Sequence, residues 1–167
     1  MKKTTTLLAV LLLVSTFVIG QSKSVESFRD KYKDDRDATF VTLQGNIFKL
    51  IGSIADYSDD EDAKAFGKMA DGIKSMQILS LPKYETDLSD DEISKLKANI
   101  KKESYEELMN MKQGREKVII LSQGQEDEVR NMLIIVEEKD EFVLINIDGV
   151  LRMKDLAYIA NHHKNWN

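Results

Sequence analysis

The stretch from Lys117 to Leu151 constrains the fold more than any other part of this chain. It holds three apolar runs: Val118-Ile119-Ile120-Leu121, Met132-Leu133-Ile134-Ile135-Val136 and Phe142-Val143-Leu144-Ile145. Each run is of strand length, rich in β-branched residues and bounded by polar, charged or glycine-containing segments, which predicts an up-down-up meander of three antiparallel strands. A half-buried strand alternates apolar and polar residues, but these runs are apolar at both parities. Both faces of the central sheet therefore need cover. Two helices, the first and the last, are expected to supply it on the second face. The alternative leaves a face for a partner or a second copy, with Ile119, Leu133, Ile135 and Phe142 as the residues presented to it.

The segment before the domain has a different character. Lys2 and Lys3 precede an apolar run from Leu7 to Ile19, and Val18-Ile19-Gly20 ends on a small residue. This reads as a secretory signal peptide over residues 1–20, cleaved after Gly20, because thirteen residues fall short of the roughly 20 that a membrane-spanning helix needs. Residues 21–167 then form a single domain, long enough to bury a core without staples. Without Lys2 and Lys3, the mature chain carries 22 Lys and Arg against 29 Asp and Glu, a net charge of −7 that disfavours nucleic acid as a partner. The chain has no cysteine, which excludes disulfides, thiolate metal sites, a thiol nucleophile and a lipid-modified cysteine. An exported protein with no span in the mature chain, periplasmic or secreted, is the expectation.

Upstream of the meander, Val25, Phe28 and Tyr32 form one helical stripe behind a capping Ser24. Phe40, Val41 and Leu43 read as a short strand, and Gly45-Asn46 opens a second helix through Ile54. A third helix carries Phe66, Met69, Ala70 and Ile73, and a strand follows over Ser75–Leu81. Ser89-Asp90-Asp91-Glu92 is a capping box before Ile93, Leu96 and Ile100. Ser104-Tyr105-Glu106-Glu107 reads as a second one, placing Tyr105, Leu108, Met109 and Met111 on a second helix or on one helix kinked near Lys102. Gly124, Lys139-Asp140 and Asp148-Gly149 mark turns, and a closing helix runs from about Met153 to His162. Helical crossovers join the first strands, so parallel pairing is expected there. The fold class is α+β: one mixed sheet of about five strands, helices mainly on one face.

Candidate chemistry is sparse. Asp56, Ser58, Asp59, Asp60, Glu61 and Asp62 offer oxygens, but Glu61 stands where an EF-hand loop needs glycine, so this reads as a solvated loop capping the next helix. His162 and His163 point about 100° apart on a helix and suit its C-terminal end better than a metal. Ser122-Gln123-Gly124 lies in a hairpin, outside any nucleophile motif. The glycines Gly45, Gly52, Gly67 and Gly72 are too widely spaced for a phosphate loop, so no cofactor is expected. Met69, Met76, Met109, Met111, Met132 and Met153 read as gap-filling core.

The run Tyr105-Glu106-Glu107-Leu108-Met109, the strands at 118–121, 132–136 and 142–145, and Gly149 before Lys154-Asp155-Leu156 form a recurring pattern. With Phe40-Val41-Thr42 and Phe48-Lys49-Leu50-Ile51, the chain resembles the domain of unknown function 4252 family, small exported proteins of Gram-negative bacteria. The resemblance implies an envelope location, a single α+β domain and, through gene neighbourhoods with a sigma factor, a regulatory role. It transfers no active-site residues. The function expected from all this is a non-enzymatic binding or regulatory module acting through protein–protein contact, with another envelope protein or itself as partner. A carboxylate-based enzyme or small-molecule binder, and a self-associating envelope structural protein, are the alternatives.

Overall fold

The computed structural model describes residues 22–155 apart from 126. The expected signal peptide and the closing helix beyond Asp155 lie outside these residues. The elements are α1 (Lys23–Tyr32), β1 (Thr39–Gln44), α2 (Gly45–Asp56), α3 (Glu61–Ala70), β2 (Ile73–Pro82), α4 (Asp90–Ile100), a 3-10 turn (Lys101–Glu103), β3 (Glu106–Gln113), β4 (Glu116–Gln125), β5 (Glu128–Glu137) and β6 (Glu141–Arg152). The strands form one six-stranded sheet in the order β1-β2-β6-β5-β4-β3. Among the described residues, no helix is long and apolar enough to cross a membrane.

The α+β class holds, with two corrections to its detail. Every neighbouring pair of strands is antiparallel, so the sheet is not mixed. The reason lies in the connections. Between β1 and β2 the chain makes two helical legs, α2 and α3, and an even number of legs returns it to the end it left, so β2 runs back beside β1. A single leg, α4, leads from β2 to β3, which run the same way but sit at different places in the sheet, with β6, β5 and β4 between them.

The second correction concerns cover. One face is packed by α1 and α4: Val25, Phe28 and Tyr32 meet Ile93, Leu96 and Ile100 over Leu79, Leu81, Ile119, Leu121, Leu133, Ile135, Phe142 and Leu144. Phe28 lies edge-on to Phe142 at 5.6 Å between ring centroids, a favourable aromatic geometry. The other face carries α2 and α3, with Phe48 and Ala70 against Ile73, Val129, Met132, Ile147 and Leu151. Helices thus lie on both faces, because apolar residues at both parities require it.

Local sequence explains most elements. Ser22, rather than Ser24, caps α1, its hydroxyl accepting from the Val25 N–H at 3.1 Å. Ser89 and Glu92 form the expected reciprocal capping box on α4. The segment expected as a second helix there is instead β3. Ser104 takes a left-handed conformation (φ 59°) that ends the 3-10 turn, and Met109-Asn110-Met111-Lys112 then alternates at period two. Gly124 and Asp148-Gly149 are not turns but lie inside β4 and β6. Gly149 permits close approach: a Cβ there would sit 2.4 Å from the Gly72 carbonyl oxygen.

α2 and α3 cross tightly at Gly67, where an added Cβ would lie 2.5 Å from the Ala55 Cβ and 3.3 Å from the Gly52 backbone. The replacement Gly67→Val is expected to push these helices apart and cost about 1–3 kcal/mol. Urea unfolding of the variant beside the parent checks this through the shift in midpoint.

Candidate interaction surface

The sheet register places six apolar side chains in one row across all six strands. Val41 lies opposite Ile78, Ile78 opposite Ile145, Ile145 opposite Ile134, Ile134 opposite Ile120, and Ile120 opposite Met109. Two residues along each strand, a second row runs Thr39, Ser80, Val143, Val136, Val118, Met111 by the same pairings. Both rows sit on the face that carries α2 and α3, since Ile120, Ile134 and Ile145 adjoin the Phe48–Ile147 cluster. The central residues of both rows are half-buried, and the margins are open: Val41 is 38% exposed, Met109 40% and Met111 41%.

A third, polar margin borders the rows. Glu141 continues the Val143 side of β6 and accepts from the Ser80 hydroxyl. Glu138 faces it across the hairpin, its N–H donating to the Glu141 carbonyl at 2.9 Å. Glu116 extends the Val118 side of β4, opposite Gln113. An apolar strip about 24 Å wide, taking five strand spacings of about 4.8 Å, therefore ends on glutamates.

The four residues expected to meet a partner are elsewhere. Ile119 (5% exposed), Leu133, Ile135 and Phe142 (0% each) are core beneath α1 and α4. The open face belongs to their strand neighbours Ile120, Ile134 and Val143. The one-residue offset was written in the sequence, but which parity faces which helices was not. Met109, Met111 and Met153 are exposed rather than core, while Met132 is buried.

Other candidates resolve into structural roles. Asp60 caps α3, its carboxylate accepting from the Asp62 N–H at 2.8 Å, and the Ser58 hydroxyl accepts from the Asp60 N–H at 3.1 Å. Among the described residues no three His, Cys, Asp or Glu side chains are placed to hold a metal. His162 and His163 lie outside the described residues. A cavity of about 240 Å³ beside α1 is lined by Arg29, Phe40, Gln77 and the buried Asn146, with Glu26 and Asp30 at its exposed side. Arg29 donates to Gln77 and lies 5.7 Å from the Phe40 ring centre. Burial lowers the Arg29 pKa, with Asp30 and Glu26 working the other way.

One polar network ties α1 and the 3-10 turn to β4 and β5 at one end of the sheet. The Ser24 N–H donates to Glu103 at 2.9 Å, Gln123 donates to the Glu103 carbonyl at 2.6 Å, and Asn131 donates to Gln123 at 2.9 Å. Burial alone would raise the Glu103 pKa, but hydrogen bonds from Ser22 and Ser24, with Lys23 nearby, outweigh it and bring it below the ordinary carboxylate value. Burial pushes the Tyr105 hydroxyl well above its usual range, and the carboxylates of Glu103 and Asp148 add to this.

A single antiparallel sheet with helices on both faces and a half-covered apolar strip on one of them defines a small α+β domain. The chain belongs to the domain of unknown function 4252 family, whose model matches residues 32–159. No curated protein and no solved structure matches it.

Two outcomes follow from the geometry. The variant Ile135→Ala is expected to cost about 2–5 kcal/mol, and its neighbour Ile134→Ala clearly less, since only Ile135 is fully enclosed. Parallel denaturant titrations decide it, and equal losses would contradict the assignment of faces. For Glu103 the folded pKa lies below the unfolded value of about 4.3. Its stabilisation is therefore complete above that value and lost as pH falls through the folded pKa. The stability gap between the parent and Glu103→Gln should be wider at pH 7 than at pH 3, and an unchanged gap would show that the charge contributes nothing.

Proposed function

We propose that the protein is a non-enzymatic binding or regulatory module, exported to the cell envelope, that acts through protein–protein contact on the strip Val41–Ile78–Ile145–Ile134–Ile120–Met109. The observation that carries this reading is the strip itself. Soluble domains seldom leave a contiguous apolar surface half-covered, and such patches commonly mark interfaces. The glutamate margin at Glu116, Glu138 and Glu141 supports a partner of matching chemistry: a protein segment with an apolar face flanked by basic residues. Apolar contact supplies affinity there, and the acidic margin sets orientation.

Export is supported by the basic residues and thirteen-residue apolar run at the N-terminus. Edman sequencing of the protein recovered from envelope fractions is expected to begin at Gln21.

The contact is tested by placing a photo-cross-linkable amino acid at Val41 or Val136 in cells. Irradiation is expected to yield one discrete adduct with another protein. Adding Ile134→Asp should abolish it while circular dichroism stays that of the parent. Cross-linking to nothing, or adducts insensitive to the charge, would defeat the reading.

A further inference from the structure

Strand β3 lies at one edge of the sheet, and all eight of its residues, Glu106–Gln113, are exposed. On its inner side it pairs with β4, and among the described residues no strand lies beside its outer N–H and C=O groups. An edge of this length is a template for another strand. It also carries Leu108 (46% exposed) with Met109 and Met111, a composition unlike the lysine-rich edges that resist pairing.

The order of residues along β3 singles out its occupant. The strand reads Glu-Glu-Leu-Met-Asn-Met-Lys-Gln, acidic at its start and basic near its end, with the two methionines symmetric about Asn110. We infer that β3 pairs antiparallel with β3 of a second copy about a two-fold axis at Asn110. In that register Met109 lies opposite the second copy's Met111, and Asn110 opposite its own counterpart. Lys112 meets the second copy's bulge at Glu107–Leu108. Glu107 and Lys112 share the side of the sheet carrying Asn110, since they pair with Leu121 and Lys117 on β4, and Asn110 pairs with Ile119. The unlike charges therefore meet twice in one symmetric contact, as an isologous interface requires. A parallel pairing would instead set Glu106 and Glu107 beside their own copies.

The pairing extends the sheet to twelve strands and joins the two apolar strips end to end through four methionines. It covers the edge and leaves the strip's face open. It uses a different part of the molecule from the function proposed above, and either can fail alone.

The cysteine-free chain makes a direct test. The single variant Asn110→Cys places its thiol on the two-fold axis and is expected to form a disulfide-linked dimer under mild oxidation. Lys68→Cys, on exposed α3 surface, serves as the control and should remain monomeric. Sedimentation should show a dimer for the parent protein, weakened about tenfold or more by Lys112→Glu, which turns two attractions into repulsions. The double variant Glu107→Lys/Lys112→Glu restores the unlike pairs and should recover the dimer. A parent that sediments as a monomer at hundreds of micromolar overturns the inference. So does a dimer indifferent to Lys112→Glu, or an Asn110→Cys that oxidises no faster than the control. Circular dichroism on each variant separates loss of pairing from loss of fold.

Discussion

The structure depends on strand register. Side chains alternate between faces with a period of two, so a slip of one residue on any strand would exchange its two faces. Here the register holds across all six strands through the centre of the sheet, from Val41 to Met109 on one face and from Leu79 through Leu144, Ile135 and Ile119 on the other. The irregularities cluster at one end, at Ile73/Ser75, Glu107/Met109, Leu121/Gln123 and Arg130/Met132. Bulges there absorb twist and accommodate α2 and α3 without disturbing the rows. Asn131, with φ 48°, takes the strain at one of them and is held by Gln123.

The two faces are covered unequally. α1 and α4 lie over the face of Phe142 and Ile135, and ion pairs such as Lys97–Glu137 at 2.8 Å fasten α4 at its margin. On the other face α2 and α3 pack closely against each other and over one end of the sheet. Much of the apolar surface of α2 also faces outward, with Ile47, Leu50 and Ile54 exposed. The strip and this helix put more exposed apolar surface on this side of the sheet than α1 and α4 leave on the other.

Much of this was legible in the chain. The three apolar runs became β4, β5 and β6, the capping box at Ser89 opened α4, and the stripe Val25-Phe28-Tyr32 became the inner face of α1. Residues 105–113 were misread because Tyr105, Leu108, Met109 and Met111 fit a helical spacing as well as an alternating one. The left-handed Ser104 and the pairing with β4 decide between them, and neither is local information. The face of the strip was misread for a related reason. Runs apolar at both parities announce two buried surfaces but do not say which one the helices fill more completely, and that depends on where α1 and α4 land.

The last strand of the described residues, β6, does not finish the sheet at an edge. It inserts between β2 and β5. Before it arrives, the chain holds two separate pieces, β1 with β2 and their helices, and the β3–β4–β5 ribbon, with no strand pairing between them. The sheet therefore cannot close until β6 has been made. A chain built this way postpones closure of its sheet by topology alone.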